Sequence, residues 1–143
     1  MSRLTIDQML ENARARLHRV YVYDVAAALE RGAILVDIRP AAQRVREGSL
    51  PGALVIERNV LEWRLDPTSS ARLSLAVDHE VEWIIFCSEG YTSSLAAAAL
   101  QELGLHRASD VVGGYQALKS AGLLTVGVGV PHFAREVDAL ASL

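Results

Sequence analysis

A chain of 143 residues with 14 basic and 17 acidic side chains, formal net charge −3, is long enough for one domain with its own core. Its charges are mixed along the chain, which excludes a basic nucleic-acid face and a disordered acidic tail, and its single cysteine excludes an internal disulfide. The apolar fraction is 51%, yet no run approaches the ~18 apolar residues of a membrane span, and Asp7 and Gln8 interrupt any signal-peptide core in "MSRLTIDQML", so a cytoplasmic protein that binds neither membrane nor nucleic acid is expected.

The first segment, "TIDQMLENARARL", places Ile6, Met9, Leu10, Ala13 and Leu17 at helical spacing. Thr5 and Gln8 are set for a capping box, each satisfying a free N–H of the first turn. Residues 1–20 are therefore expected to form an N-terminal helical extension, with the arginines of "ENARARL" on a solvated face, and residues 21–143 the main domain. "VYVY" is a short strand candidate. Asp24 is placed to cap the helix "VAAALERG", which Gly32 stops. "AILVDI" is a nearly continuous apolar run, the pattern of a strand covered on both faces.

A helix over "PAAQRVREG" follows, with Pro40 in its first turn. "SLPGALVI" gives a turn and a strand, and Asn59 is placed to cap the short helix "VLEWRL", which ends by Asp66-Pro67. After a loose stretch comes a second buried strand, "EWIIFC", and then "TSSLAAAALQELG", composed of good helix formers. "DVV" is a strand, "GG" a tight turn or close approach, and "YQALKSAG" a helix; a last helix is expected over "PHFAREVDALASL". Alternation of this kind predicts a parallel α/β sheet, five-stranded and sandwiched between helices, because parallel strands need crossover connections. Ligands in such folds bind beyond the carboxyl ends of the strands.

Cys87 sits at such an end, where "WIIF" runs into "CSEGYTSS". A thiolate between a turn and a helix N-terminus meets unpaired N–H groups and a favourable dipole, and such sites lower a cysteine pKa from about 8.5 to about 3.5–7.5. Gly90 permits a positive φ, and Thr92 and Ser93 can cap the helix or donate to the sulfur. A buried cysteine that acts as a small core hydrophobe fits the same spacing, and the residues alone leave the two readings level. Tyrosine-phosphatase chemistry needs an arginine six positions after the cysteine to grip the phosphoryl group. That position is Ser93, and Phe86 stands where the usual histidine precedes the cysteine. Thioredoxin-type chemistry needs a second cysteine.

Four pieces resemble, in order, the single-domain rhodaneses, a sulfurtransferase family. They are "LVDIRPAAQRVREGSLPGALVI", "CSEGYTS", "SSLAAAALQELG" and "VVGGYQALKSAGLL", together spanning residues 33–124. The resemblance implies the rhodanese-like fold with an extra N-terminal helix. It also implies transfer of a sulfane sulfur from a thiosulfate-, mercaptopyruvate- or persulfide-like donor through a Cys87 persulfide. The acceptor would be cyanide, a thiol or a protein. No cofactor follows from it, and the histidines at 18, 79, 106 and 132 lack ligand spacing, so no metal is expected.

The loop residues Ser88, Glu89, Gly90, Tyr91, Thr92 and Ser93 would hold the substrate, with Arg39 and Arg58 as candidates for an anionic donor. Asp37 is expected either to fix the site's shape by hydrogen bonding the loop or an arginine, or to form a purely structural ion pair. Trp63 and Trp83 are expected in the core. The chain departs from the family's usual residues at Ser49, Leu118 and Leu124, which read as packing changes. Glu89 puts an acid in a loop that often carries a cation, which argues against thiosulfate as donor. The alternative function is a non-catalytic rhodanese-like module that binds a partner or senses redox state.

Overall fold

In the computed structural model residues 3–123 are described, so the helix expected over "PHFAREVDALASL" lies outside the described residues, as does Leu124. The elements run α1 (Ile6–Ala15), α2 (Val25–Glu30), β1 (Ile34–Asp37), α3 (Ala41–Glu47), β2 (Leu54–Val55), α4 (Leu61–Leu65), β3 (Trp83–Phe86), α5 (Thr92–Glu102), β4 (Ser109–Asp110) and α6 (Gly114–Ser120). All strand pairs are parallel, in the order β2-β1-β3-β4.

The sheet therefore has four strands among the described residues, where the sequence predicted five. The missing one is "VYVY". Val20 makes a single parallel bridge to Val111, its N–H donating to Asp110 O at 2.8 Å and its carbonyl accepting from Val112 at 2.9 Å. The chain then tightens into a 3₁₀ turn at Val22–Asp24 and leaves the edge.

β1 and β3 occupy the centre of the sheet and every residue in them is buried, as continuous apolar runs require. Side chains alternate across the sheet. Ile34, Val36, Trp83, Ile85 and Cys87 point into one core with Leu61, Leu65, Ala96, Ala97 and Leu100. Leu35, Ile84 and Phe86 point into the other, with Val25, Ala28, Tyr115 and Leu118. Cys87 is in phase with Trp83 and Ile85, so its sulfur faces the layer that holds α5. The alanines of α5 let that helix lie close on the sheet: Ala96, Ala97 and Ala98 are buried.

Thr5 and Gln8 form the expected capping box at the start of α1, which packs on α5. Asp24 and Asn59 cap nothing: the chain enters α2 and α4 through 3₁₀ turns, and neither helix has a side-chain cap. Trp83 is a fully buried anchor, but Trp63 is 60% exposed. In the five-residue α4, Leu61 and Leu65 share the buried face, which turns Trp63 outward. No helix of the described residues is long and apolar enough to cross a membrane.

Candidate active site

Cys87 follows β3, and the loop Ser88–Tyr91 turns the chain into α5. The turn depends on Gly90, whose φ is +87°. A Cβ there would lie 2.9 Å from Gly113 N and 3.2 Å from Val111 O, so only glycine fits. The Gly90 N–H donates to Cys87 Sγ at 3.2 Å. Cys87 is 5% exposed, so little of its side chain meets solvent. Among the described residues one backbone N–H, that of Gly90, donates to the sulfur.

Two hydrogen bonds from α6 grip the loop backbone. The N–H groups of Tyr115 and Gln116 donate to the carbonyls of Cys87 (2.8 Å) and Ser88 (3.0 Å). Gly114 makes that approach possible, since a Cβ on it would stand 2.5 Å from Cys87 O and 2.9 Å from Gly90 N. The "GG" of the sequence is thus a packing requirement of the loop.

The loop side chains divide. Glu89, Tyr91 and Thr92 are exposed at the mouth. Ser88 turns away from it: its hydroxyl donates to Glu47 Oε2 at 2.8 Å and accepts from Gln116 Nε2 at 3.2 Å. Ser93 also turns away. It is fully buried and donates to Asp110 Oδ2 at 2.8 Å, as does Ser94. Neither Ser93 nor Thr92 caps α5, which has no side-chain cap.

Arg39 does not reach toward a donor. Its side chain is fully buried and bound at Nε and Nη2 to the two Asp37 oxygens (3.0 and 2.7 Å), at Nη1 to Glu47 (3.1 Å) and at Nη2 to Gly48 O (2.9 Å). Its guanidinium also stacks 3.9 Å from the Tyr115 ring centroid. Burial works against this charge, yet Asp37 and then Glu47 hold the Arg39 pKa above its ordinary value. Burial likewise pushes the Glu47 carboxyl up, but the Ser88 hydroxyl and then Arg39 outweigh it and hold that carboxyl below the usual glutamate value. Asp37 pairs with Arg39, which both roles open to it allow, and Glu47 connects that pair to Ser88. Arg58 is partly buried and binds Glu62 at 2.6 Å, one turn along the chain.

Two further arginines lie against the loop: Arg14, one of the two the sequence assigned to a solvated face, and Arg19, to which it gave no role. Arg14 Nη2 donates to Gly90 O at 2.7 Å and Arg14 Nε to Ser94 Oγ at 3.1 Å, and the guanidinium sits 5.5 Å from the Tyr91 ring centroid. Arg19 binds both oxygens of the fully buried Asp110 (2.8 and 3.1 Å) and donates to Gly90 O at 3.1 Å. A signal for Arg14 was present in the sequence. It stands four residues after Leu10 and three before Leu17, on the apolar side of the helix, whereas Arg16 is on the far side.

A parallel α/β sheet that ends its central strand in a cysteine, with a glycine amide on the sulfur, defines a class of cysteine-loop proteins. Within that class, the model of the rhodanese-like domain matches residues 13–121, and the chain belongs to that family. RPA3614 from Rhodopseudomonas palustris CGA009, described as a protein of unknown function and possible tyrosine phosphatase, is 28% identical over 85% of this chain and 94% of its own, with a TM-score of 0.75. The human single-domain sulfurtransferase TSTD1 is 27% identical over 71% of this chain and 95% of its own, with a TM-score of 0.61. The rhodanese homologue TT1651 from the extreme thermophile Thermus thermophilus is 25% identical over 71% of this chain and 100% of its own, with a TM-score of 0.52. A comparison with curated proteins returns no match.

Proposed function

We propose that the protein is a sulfurtransferase that carries a sulfane sulfur on Cys87. The observation that supports this best is the Gly90 N–H aimed at Sγ at 3.2 Å, in a loop held at the carboxyl end of a central strand. The Cys87 thiolate attacks the outer sulfur of a donor. A sulfur–sulfur bond to Cys87 forms while the donor's bond to that sulfur breaks, and the bonding pair leaves with the donor remnant. The product is a Cys87 persulfide, whose terminal sulfur an acceptor thiolate or cyanide then attacks, returning the Cys87 thiolate. The Gly90 amide stabilises the anionic sulfur in both steps, being oriented before reaction. The step uses no metal or organic cofactor.

Donor class follows from the charges at the mouth. Arg39 is buried in its ion cluster, Arg58 is paired with Glu62, and the exposed loop carries Glu89. A dianionic donor such as thiosulfate finds little to hold it there. A persulfide donor, small or borne on a protein, is the better match, and a thiol of the same kind is the better acceptor. Two-step transfer gives ping-pong kinetics. Initial rates over a panel of thiosulfate, 3-mercaptopyruvate and glutathione persulfide, with cyanide or a thiol as acceptor, test this. Parallel double-reciprocal lines, highest kcat/KM for the persulfide and no turnover in Cys87→Ser are expected. No turnover with any pair would overturn it.

A second reading, a non-catalytic binding or redox-sensing module, draws on the near-closure of Cys87, which is 5% exposed. It predicts partner binding that Cys87→Ser leaves intact and no transfer with any donor. Phosphatase chemistry, raised by the description of RPA3614, lacks its phosphoryl grip here: Ser93 holds the arginine position and its hydroxyl is committed to Asp110.

A further inference from the structure

We infer that Arg14 and Arg19 are positioning residues that set the reactivity of Cys87 through Gly90. The inference rests on the sulfurtransferase reading for its consequence, but not for its geometry. Gly90 is bonded at both ends. Its N–H points at Cys87 Sγ, and its carbonyl oxygen accepts from Arg14 at 2.7 Å and Arg19 at 3.1 Å. Two guanidinium donors meet that oxygen, with the Ser94 hydroxyl a longer third at 3.4 Å. Glycine has the freest backbone of any residue, and Gly90 holds a φ of +87°. The carbonyl and the N–H belong to successive peptide planes that meet at the Gly90 Cα, so holding the carbonyl restrains the Gly90–Tyr91 plane directly and limits through that Cα how far the plane carrying the N–H can turn. Released from the two guanidinium groups, Gly90 would turn more freely about its Cα, and its N–H would hold its aim on the sulfur less well.

The clamp is itself built to be rigid. Arg19 is held by both oxygens of Asp110, and the Val20 bridge lays that segment along β4, with Val20 N–H on Asp110 O. Ser93 and Ser94, from the first turn of α5, load the same Asp110 oxygen, and Ser94 also accepts from Arg14. Arg14, Ser94, Asp110 and Arg19 thus form one network around Gly90 O. Two guanidinium charges against one carboxylate leave one positive charge behind the loop. Such a charge favours thiolate and persulfide over their neutral forms. The other charged groups near the loop are Glu89 on the loop itself and Glu47, Arg39 and Asp37, which connect to it through Ser88. Arg58 and Glu62, beyond β2, pair with each other.

The test uses the full chain with Arg14→Gln, Arg14→Lys and Arg19→Lys. Arg14→Gln leaves the Arg19–Asp110 pair intact, and Arg19→Lys keeps a cation beside buried Asp110, so all three are expected to fold. For each, the rate of Cys87 alkylation by iodoacetamide is followed against pH, together with the rate of sulfur loading from glutathione persulfide and the melting temperature. In Arg14→Gln the alkylation midpoint is expected to move up by about half a pH unit and loading to slow roughly threefold, the loss of thiolate that such a move implies at fixed pH. Arg14→Lys restores part of both, because it keeps the charge and one donor. Arg19→Lys moves both in the same direction by less. An unchanged alkylation profile in Arg14→Gln overturns the inference. So does a lysine variant no better than glutamine. If the parent protein loads sulfur from no donor, the sulfurtransferase reading falls, while the alkylation profiles still decide whether the clamp acts on Cys87.

Discussion

Two ion clusters flank the Cys87 loop, and they are built on opposite plans. On the β1 side, Asp37, Arg39 and Glu47 come from one stretch of chain, with partners two and eight residues apart, and the arginine is fully buried. On the β4 side, Arg14 and Arg19 reach partners 76 and 91 residues away, and the Arg19 side chain keeps 17% of its exposure. The local cluster braces β1 and α3 and touches the loop at one serine hydroxyl. The distant cluster touches the loop backbone at the residue whose amide meets the sulfur. Both are arginine–carboxylate pairs with a buried carboxylate, and they differ in where they meet the loop: a side-chain hydroxyl in the first, the Gly90 backbone in the second.

The largest effect that would sharpen this contrast is expected from Arg39→Ala. It leaves the buried Asp37 carboxylate without its cation, and removing one partner of a buried pair costs about 3–5 kcal/mol. Urea denaturation should show a loss of that size, where Arg14→Gln shows a small one. A loss under about 1 kcal/mol for Arg39→Ala would break the comparison. Next comes Gly114→Ala. Its Cβ has no room beside Cys87 O, and its φ of +61° adds a strain of about 1–2 kcal/mol, so a lowered melting temperature and a loop displaced from α6 are expected. Sulfur loading should fall by more than the loss of folded protein accounts for, as measured on protein shown to be folded by circular dichroism.

Acid acts on the first cluster through Glu47. The Glu47 carboxyl lies below the ordinary glutamate value of about 4.3 when folded, so the unfolded chain binds its proton more tightly. Its contribution to stability is complete above about pH 4.3 and is lost as pH falls through the lower folded value. Denaturation midpoints measured at about pH 5 and about pH 3 should differ less in Glu47→Gln than in the parent. An equal difference would remove Glu47 from the stabilising cluster. The smallest effect is expected from Arg16→Gln. Arg16 caps the end of the helix that carries Arg14 but meets exposed Glu102 at 3.8 Å, and such pairs are worth about 0–1 kcal/mol. Its alkylation profile should overlie that of the parent, and any shift like that of Arg14→Gln would show that charge on α1, not contact with Gly90, governs the thiol.

The contrast between the clusters also marks what the sequence could show. Asp37 and Arg39 stand two apart at the end of an apolar run, so their pairing follows from neighbouring letters. The central strands were equally legible, because "AILVDI" and "EWIIFC" are apolar at every position that both cores must cover. The glycine pair at 113–114 declared a close approach without saying to what. "VYVY" misled because its pattern of large apolar residues suits a strand, while a single bridge at Val20 is all the edge accepts. Arg14 and Arg19 were missed for a different reason. Their partners, Gly90, Ser94 and Asp110, meet them only after α1 has packed on α5 and Val20 has joined β4; the apolar side of the helix marks Arg14 as turned inward, but no local pattern names its partners. Likewise Ser88 and Ser93 read as loop ligands from their positions, but each hydroxyl turned to a carboxylate that lies elsewhere in the sequence, half-buried Glu47 and buried Asp110.

The central claim is that Cys87 holds a transferable sulfur. It is tested most directly by the intact mass of the purified protein after incubation with glutathione persulfide and removal of excess reagent. The account predicts a gain of one sulfur atom, stable to gel filtration, released by cyanide and absent in Cys87→Ser. An unchanged mass in the parent protein, or the same gain in Cys87→Ser, would contradict it.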